Sequence, residues 1–297
     1  MPKPTSSIQV SSFPAKVCRW LLLAVAFAAL QGCASLIVDP LVAPFEQSLE
    51  QQTNLDLLHD GTPSLLLIID GLLANAPNDQ KMLISGTKAY SSYAVLLTQF
   101  QEHKLARSYA EHGRELAHRL LATIPSMAKF PQTSPSELTD ELAKVRPRET
   151  AALFWGGYGC AIWARLQDGS PAGLATLTKI ERLMQRVNEL DESFYHGGAH
   201  IFLGSLNGAK PPMLGGKPEV SLAHFEKALM LNQRQFLPTQ VAMAETYARQ
   251  VFDRDLFKAL LEEVLAAPLE ADPKLKASNS LAKMKAKQLL ARIDDFF

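Results

Sequence analysis

Four dipeptides constrain the fold of this chain more than anything else in it: Thr62-Pro63, Ser134-Pro135, Ser170-Pro171 and Asp272-Pro273. Each joins a side chain able to accept from an orphan backbone N–H at a helix start to a proline with no N–H to leave unsatisfied. Glu137 follows Ser134 by three residues, the spacing of a capping box. Such starts spread along the chain predict a succession of helices, over 63–75, 79–100, 102–124, 135–144, 147–167, 171–188, 192–206, 218–231, 236–251, 254–267 and 273–295. Apolar spacing agrees: Leu222, Phe225 and Leu229 share one helical face, and Leu256, Leu260 and Val264 share another. Leu65 to Ile69 has the composition of a buried strand. It runs on through Asp70-Gly71-Leu72-Leu73 with no turn partner, so helix is expected there too. No alternating strand pair occurs elsewhere, and the expected class is all-α.

A weak internal repeat organises these helices. Val220 to Leu229 places a small residue at Ser221, an aromatic at Phe225 and a small residue at Ala228, which resembles the second helix of a tetratricopeptide repeat. Phe257 to Leu265 occupies the corresponding frame one repeat later, with larger side chains. Stacked helical hairpins bury what one hairpin cannot. The loop from Asn207 to Lys217 is longer than a tetratricopeptide turn, so the expectation is an irregular tetratricopeptide-like array of helical hairpins forming one domain over 62–297.

The N-terminus is of another kind. Lys16 and Arg19 precede an apolar run from Leu21 to Leu30, followed by Gln31-Gly32-Cys33, the order of a secretory signal. Ten residues span only about 15 Å as a helix, about half a bilayer core, so the run is too short for a membrane anchor. Leu30-Gln31-Gly32-Cys33 resembles a bacterial lipobox, with Gln31 its weakest position; residues 1–32 are then a lipoprotein signal peptide, Cys33 takes acyl chains such as palmitate, and 33–61 form the tether. Ala34 stands where an inner-membrane retention signal would place Asp, which by analogy favours the outer membrane. Removing Lys3, Lys16 and Arg19 from 30 basic and 30 acidic residues leaves a mature charge of −3, which suggests neither a nucleic-acid surface nor affinity for acidic lipid. Cys18 leaves with the signal and Cys33 is lipidated, so Cys160 has no disulfide partner; its apolar surroundings read as a buried thiol rather than a nucleophile.

Catalytic patterns are missing. Gly204-Ser205-Leu206-Asn207-Gly208 has the wrong spacing for a nucleophile elbow, Gly216-Lys217 lacks the upstream phosphate-loop glycine, and Gly157-Tyr158-Gly159 does not follow a strand. His196 and His200 stand at i and i+4, on one face of a continuous helix where a metal could bridge them. Gly197 replaces the Glu a metalloprotease needs, and no third ligand is near, so neither metal, cofactor nor enzymatic activity is expected. Phe154, Trp155, Tyr158, Trp163, Tyr195 and Phe202 make two aromatic-rich helices. They fill a core or wall an apolar passage, and Gly156, Gly157, Gly197 and Gly198 leave volume beside them. The Arg146-Pro-Arg148-Glu149 stretch and the lysines at 274, 276, 283, 285 and 287 read as solvated faces.

Several segments taken together resemble a known family: Arg148 to Gly156, Leu190 to Gly204, Pro211-Pro-Met-Leu-Gly-Gly-Lys217-Pro-Glu, and His224 to Leu229. With the lipobox in front, their order and spacing are similar to the T component associated with TRAP (tripartite ATP-independent periplasmic) transporters, over about residues 33–268. The resemblance implies an all-helical, non-enzymatic lipoprotein with cryptic tetratricopeptide-like repeats, forming trimers, engaging the periplasmic solute-binding subunit, and carrying in each protomer a passage for an apolar ligand. Phe154, Trp155, Tyr158, Tyr195, His196, His200 and Met213 are the expected passage or partner-binding residues, and a lipophilic or organic acid is the expected cargo. The competing class is a helical-repeat scaffold for envelope assembly.

Overall fold

The computed structural model describes residues 44–210, 213 and 215–297, and residues 46–297 form one unit. The signal peptide and Cys33 lie outside the described residues. Among the described residues every regular element is helical. After a short helix over 44–51 come α1 (Leu55–Asn75), α2 (Gln80–Gln99), α3 (His103–Ala122), α4 (Pro135–Ala143), α5 (Thr150–Arg165), α6 (Pro171–Asp191), α7 (Phe194–Gly208), α8 (Pro218–Leu231), α9 (Pro238–Met243), α10 (Arg254–Ala266) and α11 (Lys276–Leu290). The π-helical turn Ala244–Ala248 prolongs α9. The expected all-α class is the observed one.

Three of the four proline starts are helix starts. Ser134 accepts from the Glu137 amide and completes the capping box, Ser170 accepts from the Gly173 amide, and Asp272 accepts from the Lys274 amide to open a 3-10 turn into α11. Thr62-Pro63 is a correction. Asn54 caps α1 eight residues upstream, accepting from the Leu57 amide at 3.1 Å, so the helix already exists when it reaches Pro63. A proline inside a helix frees the carbonyl four residues back. Here that is His59, and the Tyr93 hydroxyl of α2 donates to it at 3.0 Å. A tertiary hydrogen bond thus replaces the missing helical one, as buried backbone polar groups require.

Consecutive helices pack as hairpins: α1 on α2, α2 on α3, α5 on α6, α7 on α8 and α10 on α11. Ser221, Phe225 and Ala228 are fully buried at the α7–α8 contact. Ser221 donates to the Gly204 carbonyl at 2.8 Å, and a Cβ on Gly204 would lie 3.0 Å from the Phe225 ring. Small positions thus let the two helices close, which fits a tetratricopeptide-like arrangement. α5 is apolar on all sides and buried on nearly all of them, as suits a central helix; it packs on α2, α3 and α6. The last helix returns to the first hairpin: α11 touches α1 and α2, and Gln288 donates to the Gln99 carbonyl at 3.1 Å.

Cys160 is buried and free in α5, where burial pushes its thiol up to about 12, so it stays protonated and unreactive.

Candidate functional site

Two helices bring the aromatic residues together, and an irregularity in one of them aims the rings. Residues 192–206 are not the uninterrupted helix expected. Tyr195, His196 and Gly197 have φ of 47°, 63° and 74°, so the chain turns left-handed for three residues before α7 continues. Only glycine adopts this region freely, and each side-chain-bearing residue there costs about 1–3 kcal/mol. The buried Asn232 side chain helps to hold the turn, donating to the His196 carbonyl at 3.2 Å.

The turn sends Tyr195 onto α5. Its ring centroid lies 4.6 Å from Trp155 and 5.6 Å from Phe154, and Phe154 and Trp155 are 5.2 Å apart. Tyr158, one turn along α5, sits 5.4 Å from Trp155. Phe194 and Phe236 join the group at 5.2 Å from Phe154 and 5.8 Å from Tyr195. Phe154 and Trp155 are buried, whereas Tyr158 and Tyr195 each keep accessible surface. Burial nonetheless pushes the Tyr158 hydroxyl far up and that of Tyr195 up to about 12. Both rings are half-buried and stand against the buried Phe154 and Trp155.

The volume beside the glycines is not empty. A Cβ on Gly156 would meet Leu121 at 2.5 Å, one on Gly157 would meet Met184 at 2.7 Å, and one on Gly198 would meet Phe154 at 2.6 Å. These glycines admit neighbouring side chains and leave no cavity of their own.

His196 and His200 part company, contrary to the shared face expected of a continuous helix. His196 stacks on Phe236 at 4.8 Å between ring centroids. His200 faces α8, its Nδ1 2.8 Å from Nδ1 of His224. Burial, with His224 adjacent, brings His200 down to about 4 and burial lowers His224 as well, so the pair is neutral near pH 7. Among the described residues no group of three His, Cys, Asp or Glu side chains is placed to hold a metal. Met213 projects into solvent at 91% exposure, in the loop after α7.

Sequence reasoning missed several charged pairs, and one of them borders the aromatic group. Lys88 of α2 lies 5.7 Å over the Trp155 ring and pairs with Glu50 at 2.7 Å. On the π-helical turn, Glu245 pairs with Lys285 of α11 at 2.9 Å. Burial alone would raise that carboxyl, but Lys285, Arg165 and Arg249 hold it below the usual range. Nothing local in the sequence marks these partners, which come from distant helices. Phe236 had a signal, an aromatic just before the Leu237-Pro238 helix start.

Comparison with known proteins decides the family. The model of the TRAP transporter T-component matches residues 51–297, most of the chain and all of α1 to α11. The chain belongs to this family. A Treponema pallidum (strain Nichols) protein described as uncharacterized is 22% identical over 271 residues, covering 86% of this chain and 84% of that protein. As a T-component, the protein has an accessory part in TRAP transport in the bacterial envelope, in a family of transport accessories rather than known enzymes.

Proposed function

We propose that this T-component is a lipoprotein, anchored through Cys33 on the periplasmic side of the outer membrane, which docks the solute-binding protein of a TRAP importer and holds a lipophilic or organic-acid ligand in an internal passage. In this reading Phe154, Trp155, Tyr158 and Tyr195 wall the passage, while His196, His200 and the exposed Met213 border it or meet the partner. Trimeric assembly belongs to the same reading, through the family resemblance. The observation that carries the ligand half is the aromatic group itself: Tyr158 and Tyr195, both with accessible surface, stand against the buried Phe154 and Trp155. An apolar lining with a few polar groups is what small-molecule sites present. The lipidated protein isolated from its native envelope is expected to bring down a periplasmic solute-binding protein. Recovery of envelope-assembly factors without any solute-binding protein would overturn the docking role.

A further inference from the structure

The feature left over is an ion pair at the edge of the aromatic group. Lys88 Nζ is 5.7 Å above the Trp155 ring, so its ammonium stands where an apolar wall of Phe154, Trp155 and Tyr195 meets a cation. Its partner Glu50 comes from the helical segment over 44–51, which leads back towards Cys33. The two side chains remain 24% and 34% exposed, and an ion pair that open to water contributes little to stability. The segment is joined to α1 by residues 52–54 alone, where Gln52 Oε1 accepts from the Thr53 and Asn54 amides at 3.0 and 2.8 Å, a local turn with no bond to the core in it. The reach of Glu50 extends beyond Lys88: its carboxylate adds to the effect of burial in raising Tyr195, and at His196, which burial lowers, it acts in the opposite sense.

A carboxylate on Lys88 beside stacked rings is the arrangement a small molecule with one carboxylate and an apolar body would itself make. We propose that Glu50 is an intramolecular stand-in for such a ligand: residues 46–51 close the aromatic recess with Glu50 on Lys88, and a monocarboxylate enters by exchanging its own carboxylate for that of Glu50. Lys88 then reads the charge, through a charge-assisted hydrogen bond, and Phe154, Trp155 and Tyr195 read the apolar body. The closed form competes with the ligand, so apparent affinity falls by the fraction of molecules that are open. The inference rests on the ligand half of the function proposed above, and adds the class of ligand and the part of the chain that yields to it.

Equilibrium dialysis of the full mature protein in lipid vesicles, against protein-free vesicles, tests this with two probes, 3-phenylpropanoate and the uncharged 3-phenylpropanol. Glu50→Gln is expected to tighten 3-phenylpropanoate by about 5-fold, the gain from removing a closed form that predominates, and to tighten 3-phenylpropanol by a similar factor, since both need the recess open. Lys88→Gln is expected to abolish the preference for the acid over the alcohol. An acid affinity unchanged or weakened by Glu50→Gln overturns the exchange while leaving a ligand recess in place. A preference for the acid that survives in a folded Lys88→Gln protein does the same. Should Lys88→Gln fail to fold, the Glu50→Gln result decides alone, since Glu50 sits outside the core. No binding of either probe by any variant rejects the recess itself, and the exchange with it.

Discussion

His200 and His224 meet Nδ1 to Nδ1, 2.8 Å apart across the α7–α8 contact. One imidazole donates and the other accepts, so the bond needs at least one of the two to lack a proton at Nδ1. Burial, with His224 beside it, keeps His200 uncharged down to about pH 4, and burial with Arg114 does the same for His118. In the unfolded chain both titrate near 6.5. Between pH 6.5 and 4 the unfolded state therefore binds more protons, and stability falls as pH drops through that window, by roughly 1.4 kcal/mol per pH unit per histidine. Urea melts at pH 7.5 and 5 are expected to show this loss. His200→Gln should remove its share of the slope and leave that of His118; an unchanged slope would mean His200 is charged in the fold.

Pro63 and Tyr93 are expected to be energetically coupled. Tyr93→Phe leaves the His59 carbonyl without its donor, at a cost of about 1–2 kcal/mol. In a Pro63→Ala background the helix supplies its own N–H to that carbonyl, and the same Tyr93→Phe change should cost much less. A double-mutant cycle by urea denaturation reads the difference. Equal costs in both backgrounds would show that the hydroxyl serves something other than this carbonyl.

Gly198→Ala is expected to destabilise the protein by roughly 1–3 kcal/mol, because its Cβ would fall 2.6 Å from Phe154 Cζ in a packed helix contact. The Phe154 ring must move, and Trp155 and Tyr195 pack against it. Thermal unfolding measures the cost, and near-ultraviolet circular dichroism should report the displaced rings. A neutral result would mean that Phe154 has room to swing aside.

Cys33→Ala is expected to release the protein from the membrane fraction, since acyl chains at Cys33 are its proposed tie to the bilayer. Cell fractionation and mass spectrometry of the N-terminal peptide check it. An unacylated wild-type N-terminus, with membrane association unaffected by the substitution, would remove the lipoprotein reading.

Helix positions were legible in the sequence wherever a start signal was local. Ser134, Ser170 and Asp272 cap as their side chains suggest, and α8 runs over the expected 218–231. Pro63 misled because a start signal and an interior proline look alike until the tertiary donor, Tyr93, is known. The left-handed turn at Tyr195, His196 and Gly197 was hidden for a related reason: only Gly197 advertises a positive φ, and the two residues before it are held there by packing on α5 and by Asn232. That turn is what separates His196 from His200. The aromatic members of the candidate site could be read from composition on two helices. Lys88 and Glu50 could not, since each is an ordinary surface residue until the fold sets one on the other beside Trp155.

The hydrogen bond from Gln288 to the Gln99 carbonyl bears on the order in which this protein is made. An open stack of hairpins can grow from its N-terminus during synthesis, each pair finishing as it emerges, and can fray from either end afterwards. Here the first hairpin waits for α11, which is synthesised much later. Until α11 arrives, the surfaces of α1 and α2 that it touches have no cover, so a chain truncated before Lys276 leaves its oldest part unfinished. A nick in the C-terminal helix should then be felt at α1 and α2, at the opposite end of the sequence, as faster amide exchange there.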